Sequence, residues 1–206
     1  VLFDEKIARE TLPYTSWIRF SLDATSPSTH SKIHGCPEDN FQKIIDNLKN
    51  AVQIKKENNY KTTLGVQFLL IEENKNEILD FANLMKEIGV DNIQIKPYSL
   101  NPKSINKMHP NYENLNAIEK ELKKLETKDF KVFFRVQRIE RVMREQEYKE
   151  CHGLPFFAII NEKGDVTPCH LYYADSNFVY GNIYQKSFSD IWESQQRKEI
   201  IKKICE

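Results

Sequence analysis

Residues 17–35 read WIRFSLDATSPSTHSKIHG, and the fold turns on how this stretch is read. The run Trp17-Ile18-Arg19-Phe20-Ser21-Leu22-Asp23 is mostly apolar and predicts a buried strand with a serine and an aspartate near its carboxyl end. Alternate side chains of a strand share a face, so Ser21 and Asp23 are expected to point the same way. A polar pair at the carboxyl end of an apolar strand, followed by a long polar loop, is how α/β proteins build ligand sites. The plainer alternative is that both residues only hydrogen-bond the turn that follows. The loop, residues 24–38, contains His30, His34, Gly35 and Cys36, and Pro27 and Pro37 are expected to keep it from forming regular helix.

Working outward, Val1 to Ser16 predicts a short helix and a connector, with Pro13 ending any helix there. Downstream, Asp39 or Asn40 caps a helix running to about Lys56, with Phe41, Ile44, Ile45, Leu48 and Val52 on one stripe. Residues 62–71 are dense in apolar and β-branched types, the mark of a strand buried on both faces. Asn74 with Glu77 three residues later reads as a capping box for a second helix, which Gly89 ends. Residues 92–97, NIQIKP, predict a third strand with Gln94 and Lys96 on one face. Asn111 reads as the cap of a third helix with Leu115, Ile118, Leu122 and Leu125 inward, and Phe130–Val136 predicts a fourth strand ending beside Arg135. Alternation of this kind calls for parallel strands with helical crossovers. The expected fold class is therefore α/β, with about four parallel strands, too few to close an eight-stranded TIM barrel.

After Glu150 the pattern changes. Residues 156–160 and Val166 onward predict two strands joined by a turn at 161–165, where Gly164 suits a position of positive φ. Phe178–Ile183 adds a short strand, and Ser187 with Asp190 caps a helix carrying Ile191, Trp192, Ile200, Ile201 and Ile204. The shift to hairpin plus helix places a boundary near Tyr148–Gly153, giving domains of residues 1–148 and 149–206.

Lysine plus arginine total 30, as do aspartate plus glutamate, so the net charge is zero. That balance argues against a nucleic-acid binder working through a general basic surface. No apolar run approaches a membrane span and the N-terminus lacks signal-peptide form, so a cytoplasmic, non-membrane setting is expected. The four cysteines, Cys36, Cys151, Cys169 and Cys205, then read as free or metal-bound rather than as a disulfide framework. Cys151 and Cys169 flank the hairpin, which can bring them together, as thiolates holding zinc or an iron–sulfur cluster often are. Cys205 is a candidate third ligand, and His152 and His170 adjoin the hairpin pair. Ordinary free thiols remain the alternative.

These residues resemble a known family. The SLDA strand end with its H-xxx-HG loop (His30 to Gly35) is similar to the middle of the partial β/α barrel of radical S-adenosylmethionine enzymes. Cys151, twelve residues, Gly164, four residues and Cys169, followed by Gly181-Asn182-Ile183 and the helix start at Ser187–Trp192, resemble the opening of a SPASM-type auxiliary iron–sulfur domain. Two departures stand out. The C-xxx-C-xx-C motif that holds the cofactor-cleaving cluster is absent, and His34 stands where related sequences carry an arginine that pairs with the cofactor carboxylate. The expectation is an internal fragment: later strands of a six-stranded partial barrel plus the first half of an auxiliary domain, inactive by itself.

The resemblance implies S-adenosylmethionine and 4Fe–4S clusters as cofactors. Their chemistry would be reductive cleavage of S-adenosylmethionine followed by hydrogen abstraction from a small-molecule or peptide substrate. An electron donor such as flavodoxin or ferredoxin is implied as partner. It places Ser21, Asp23, His34, Gln67, Gln94 and Lys96 toward the cofactor, Arg135 toward a substrate anion, and Cys151, Cys169 and Cys205 on the auxiliary cluster. The competing reading is a non-enzymatic zinc-binding or interaction module on an α/β sheet. An ordinary hydrolase or aldolase lacks an evident nucleophile–base pair.

Overall fold

A computed structural model describes residues 2–98, 114–143, 150–173 and 175–205. Among the described residues it divides into two compact units, one before and one after residues 144–149. The expected boundary at 148/149 lies outside the described residues.

The first unit is the expected α/β repeat. Strands β1 (Trp17–Ser21), β2 (Thr63–Leu70), β3 (Asn92–Pro97) and β4 (Lys131–Phe134) form a parallel sheet in the order β1-β2-β3-β4. Helices α2 (Pro27–His34) and α3 (Asp39–Glu57) connect β1 to β2, and α4 (Ile78–Ile88) connects β2 to β3. Helix α5 (Leu115–Leu125) precedes β4, α6 (Val136–Met143) follows it, and α1 (Glu5–Thr11) packs beside α3. Asn111, expected to cap the helix before β4, lies outside the described residues.

The sheet has two unlike faces. Leu64, Val66, Phe68, Leu70, Ile93, Ile95 and Phe134 join one buried cluster with Phe41, Ile45, Leu48, Phe81 and Met85 of the helices. Phe68 and Phe81 meet there with ring centroids 4.5 Å apart. A fully buried side chain of this size contributes about 1.5–3 kcal/mol by transfer from water. On the other face, among the described residues, Trp17, Arg19, Ser21 and Phe133 are exposed, and Gln67, Gln94 and Lys96 are half-buried. Parallel sheets are ordinarily covered on both faces, whereas among the described residues this polar face carries little apolar packing.

The structure corrects three sequence expectations. β1 is an edge strand of alternating exposure, not a buried one, because its outer face has no cover. The segment after it is not irregular: Pro27 sits in the first turn of α2, where its missing N–H is no loss, Ser26 caps by accepting from Thr29 N, and Gly35 closes the helix at φ 61°. Asn74 caps no helix with its side chain. Its amide donates to Asp23 O and Leu69 O while its carbonyl accepts from Ile71 N, so it ties the carboxyl ends of β1 and β2 together.

The second unit holds a three-stranded antiparallel sheet of β5 (Ile159–Ile160), β6 (Asp165–Thr167) and β7 (Gly181–Asn182). The hairpin is as expected, though shorter: Phe156 lies in a 3-10 turn rather than a strand. Gly164 takes φ 80°, and a Cβ there would stand 2.6 Å from the Tyr184 ring. The expected C-terminal helix is two, α7 (Phe188–Trp192) and α8 (Gln195–Cys205), with Ser187 capping the first by accepting from Asp190 N. Val166, Tyr180, Ile191 and Ile200 form its small core.

Candidate functional site

Because the four strands are parallel, their carboxyl ends share one edge, and the register sets side chains in rows across the uncovered face. Ser21 is level with Gln67, Gln67 with Gln94, and Gln94 with Phe133. This row contains three of the residues that the resemblance directs at a cofactor. The Gln94 Oε1 atom is buried and has no hydrogen-bond partner. A buried amide oxygen left unpaired costs about 1–3 kcal/mol, so it is a group in want of a donor. The row is closely drawn: Gly65, one step back on β2, lies where a Cβ would meet Asn92 Oδ1 at 2.6 Å.

Asp23 does not continue the strand beside Ser21. β1 ends at Ser21, and the Asp23 carboxylate turns to accept the Leu69 amide at 2.6 Å. Its other oxygen stands 3.5 Å from His34 Nε2. Burial raises its pKa above the usual carboxylate range, against the opposing pull of the Leu69 amide and His34. His34 in turn packs against His30, with ring centroids 4.5 Å apart. His30 is buried with Nδ1 unpartnered among the described residues, and burial first, then His34, lowers its pKa. Asp23 therefore bonds the backbone of the neighbouring strand rather than the turn that follows it, while its other oxygen faces a histidine.

The segment from β1 into α2 is held by a residue that sequence reasoning missed in this role. Glu77 accepts from Thr25 N at 2.7 Å, Thr25 Oγ1 at 2.8 Å and Thr29 Oγ1 at 2.5 Å. It is committed to a segment 50 residues away in sequence rather than to the cap of its own helix. Only the unusual run Thr25-Ser26-Pro27-Ser28-Thr29, rich in hydroxyl donors, could have hinted at an acidic partner. Lys96 lies half-buried at the end of β3 and Arg135 is exposed just beyond β4, both at the same strand-end edge.

In the second unit Cys151 is exposed, Cys169 and Cys205 are half-buried, and all are free thiols. Cys169 follows β6 in extended conformation, and Cys205 is the last residue of α8. The core of this unit holds Tyr180, which is 1% exposed. Burial pushes the Tyr180 phenol up to about 12, Arg197 opposes the rise, and the thiols of Cys169, Cys151 and Cys205 each add to it. Among the described residues the Tyr180 hydroxyl has no hydrogen-bond partner. Nothing in the Phe178-Val179-Tyr180 run set this tyrosine apart from a core aromatic. His170 is exposed, and among the described residues no three histidine, cysteine or acidic side chains converge as a metal site. Cysteine thiolates are the ligands an iron–sulfur group takes, and Cys151 and Cys169 are the candidates in this unit.

Comparisons with known proteins agree with this geometry. Residues 151–206 match the family model of SPASM, an iron–sulfur cluster-binding domain. A tungsten-containing aldehyde ferredoxin oxidoreductase cofactor-modifying protein of Pyrococcus furiosus is 24% identical over 73% of this chain and 45% of its own. The crystal structure of Streptococcus suis SuiB bound to S-adenosylmethionine matches 93% of this chain and 46% of its own, with TM-score 0.61 and 15% identity. The anSMEcpe structure with bound AdoMet and Kp18Cys peptide matches 98% and 57%, with TM-score 0.54 and 15% identity. The chain spans about half the length of these relatives. The chain therefore shares the fold of these S-adenosylmethionine-bound structures, and its residues 151–206 match a SPASM iron–sulfur cluster-binding domain.

Proposed function

We propose that this chain is part of a radical S-adenosylmethionine enzyme that modifies a peptide or a small molecule, with S-adenosylmethionine at the strand-end edge and a 4Fe–4S cluster in the SPASM domain. The match of residues 151–206 to an iron–sulfur domain, starting at Cys151 and including Cys169, carries the reading. A peptide is the favoured substrate class, since SuiB is known bound to its precursor peptide SuiA and anSMEcpe to the Kp18Cys peptide. When bound, the cofactors supply one-electron reduction and hydrogen abstraction, which no side chain here can perform.

The protein's own residues bind and orient. The uncovered face offers Ser21, Gln67 and Gln94 as a polar row for the ribose or methionine part of the cofactor, and the lone Gln94 oxygen suits an N–H or O–H donor. His34, 3.5 Å from Asp23, is placed to meet the cofactor carboxylate. Lys96 and Arg135 lie at the strand ends where a substrate anion would approach. Cys151 and Cys169 hold the auxiliary cluster, with Cys205 as a third candidate. We place the two domains at residues 1–148 and 149–206. The 206 residues contain no C-xxx-C-xx-C motif, so by themselves they are expected not to cleave S-adenosylmethionine.

The test is metal and acid-labile sulfide analysis after anaerobic reconstitution with iron and sulfide. Iron and sulfide together, lost in the variants Cys151→Ala and Cys169→Ala, support the proposal. Stoichiometric zinc without sulfide supports the non-enzymatic zinc module instead.

A further inference from the structure

The three-stranded sheet of the second unit has two edges, and they are finished differently. At the β7 edge the carbonyls are taken. Val179 O accepts from Gln196 Nε2 at 2.8 Å, and Asn182 O accepts from the amides of Gln185 at 3.0 Å and Lys186 at 3.1 Å. Helix α7 lies so close to this strand that a Cβ on Gly181 would stand 2.9 Å from Ile191 Cγ1. The β5 edge has no such cover among the described residues. Asn161 N donates to Asp165 O at 3.0 Å, Ile159 is level with Thr167, and Ile160 is level with Val166. Hydrogen-bonded and non-hydrogen-bonded pairs alternate along an antiparallel ladder. Ile159 therefore bonds β6, whereas the N–H and C=O of Ala158 and Ile160 point away from it, with no main-chain partner among the described residues.

The chain forming this edge is apolar throughout: residues 156–160 read FFAII. Phe157 is already extended, at φ -141° and ψ 139°. Phe156 is 87% exposed, Phe157 50% and Ile160 47%. Edge strands are usually blunted by a charge, a proline or a bulge, because a bare edge pairs with another chain. None of these interrupts Phe156 to Ile160. Outward N–H and C=O groups at strand spacing are matched by another extended backbone. A second copy of this chain is a poor occupant. Two residues of open edge and three exposed side chains fall well short of the roughly 800 Å² per partner that a stable interface buries. A peptide that is also held where it reacts needs far less, since linked contacts reinforce one another. This inference rests on the reading that the substrate is a peptide, and it deepens that reading by naming how part of the peptide is held. We propose that an extended, uncharged segment of the peptide substrate adds beside β5 as a further strand of the second unit. It hydrogen-bonds the outward groups of Ala158 and Ile160 and packs alternate side chains beside Phe157 and Ile160. The main chain supplies affinity, and the exposed apolar side chains select apolar over charged neighbours.

The experiment is binding of a labelled synthetic peptide of alternating valine and threonine with terminal lysines, followed by fluorescence anisotropy and by residue-resolved amide exchange. Saturation with the peptide is expected to slow exchange of the Ile160 amide about tenfold. The fully N-methylated peptide keeps every side chain but has no main-chain donor. It is expected to bind at least about tenfold more weakly, the loss of one or two hydrogen bonds. Ile160→Pro removes the outward N–H, a change an edge strand tolerates because it spares the ladder. It is expected to weaken binding by the same factor while the Thr167 amide keeps its protection. Equal binding of the two peptides, or binding without protection of Ile160, overturns the proposal. If Ile160→Pro fails to fold, the comparison of the two peptides decides. A peptide-free dimer in sedimentation that Ile160→Pro dissolves gives the edge to a second copy and also overturns it. Failure of the underlying reading is separate: it shows as absence of iron and sulfide after reconstitution, whether or not a strand adds at β5.

Discussion

Replacing Asp23 by alanine and, separately, by asparagine distinguishes its two duties. Its Oδ1 atom is the acceptor for the Leu69 amide, 2.6 Å away. That bond extends the β1–β2 ladder past Leu22, whose amide donates to Gln67 O. Alanine leaves the Leu69 N–H without an acceptor in a part-buried position. The expected loss is about 2 kcal/mol, roughly a thirtyfold fall in the folded-to-unfolded ratio. Asparagine keeps a carbonyl oxygen for Leu69 but carries no charge.

The pH dependence separates the two further. Burial raises the folded-state pKa of Asp23 above its ordinary value of 3.8. The folded state therefore holds this proton more tightly than the unfolded chain, and ionisation costs stability. That cost is absent below pH 3.8 and accrues as pH rises through the raised folded value. At pH 7 the Asp23→Asn protein should be at least as stable as the parent, and the gap should close in acid. Urea unfolding followed by far-ultraviolet circular dichroism, at neutral pH and near pH 3.5, measures both differences. An asparagine variant as unstable as the alanine one, or a gap that widens in acid, would refute the reasoning.

Other expectations follow from single contacts. Glu77→Ala removes the acceptor of three hydrogen bonds from Thr25 and Thr29, and should cost about 2–3 kcal/mol in chemical unfolding while speeding amide exchange in α2. Gly164→Ala places a Cβ at positive φ and 2.6 Å from the Tyr184 ring, and should destabilise the second unit by at least about 1–2 kcal/mol, read as early loss of its protection in hydrogen exchange. Gln94→Leu removes a buried oxygen that has no partner. It should leave the melting temperature unchanged or higher, yet weaken S-adenosylmethionine binding about tenfold by calorimetry.

The alternating strand and helix pattern was legible because parallel β/α units carry strong period-3.6 stripes, as in α3 and α4, and punctuation such as Gly89, which takes φ 89° at the end of α4. The hairpin was legible from Gly164 and its flanking apolar runs. Local signals failed where a side chain served a distant segment. Glu77 and Asn74 had the spacing of a capping box, yet both reach across to the segment after β1. Pro27 read as a breaker but occupies the one helical turn that tolerates it. β1 read as buried because its composition cannot reveal that only one face of the sheet is covered. In the candidate site, the strand register sets Ser21, Gln67 and Gln94 level, which the separate segments of sequence could not show. Asp23 left that row, because the strand ends before it. Tyr180 could not be singled out, since a buried aromatic and a buried donor look alike until its partners are counted.

The most direct measurement of the central claim is 57Fe Mössbauer spectroscopy of the anaerobically reconstituted protein beside its Cys151→Ser/Cys169→Ser double variant. The expected result is the quadrupole doublet of a 4Fe–4S group in the parent and its loss in the double variant. An unchanged doublet in the double variant, or only unspecific ferric iron in the parent, would contradict the account.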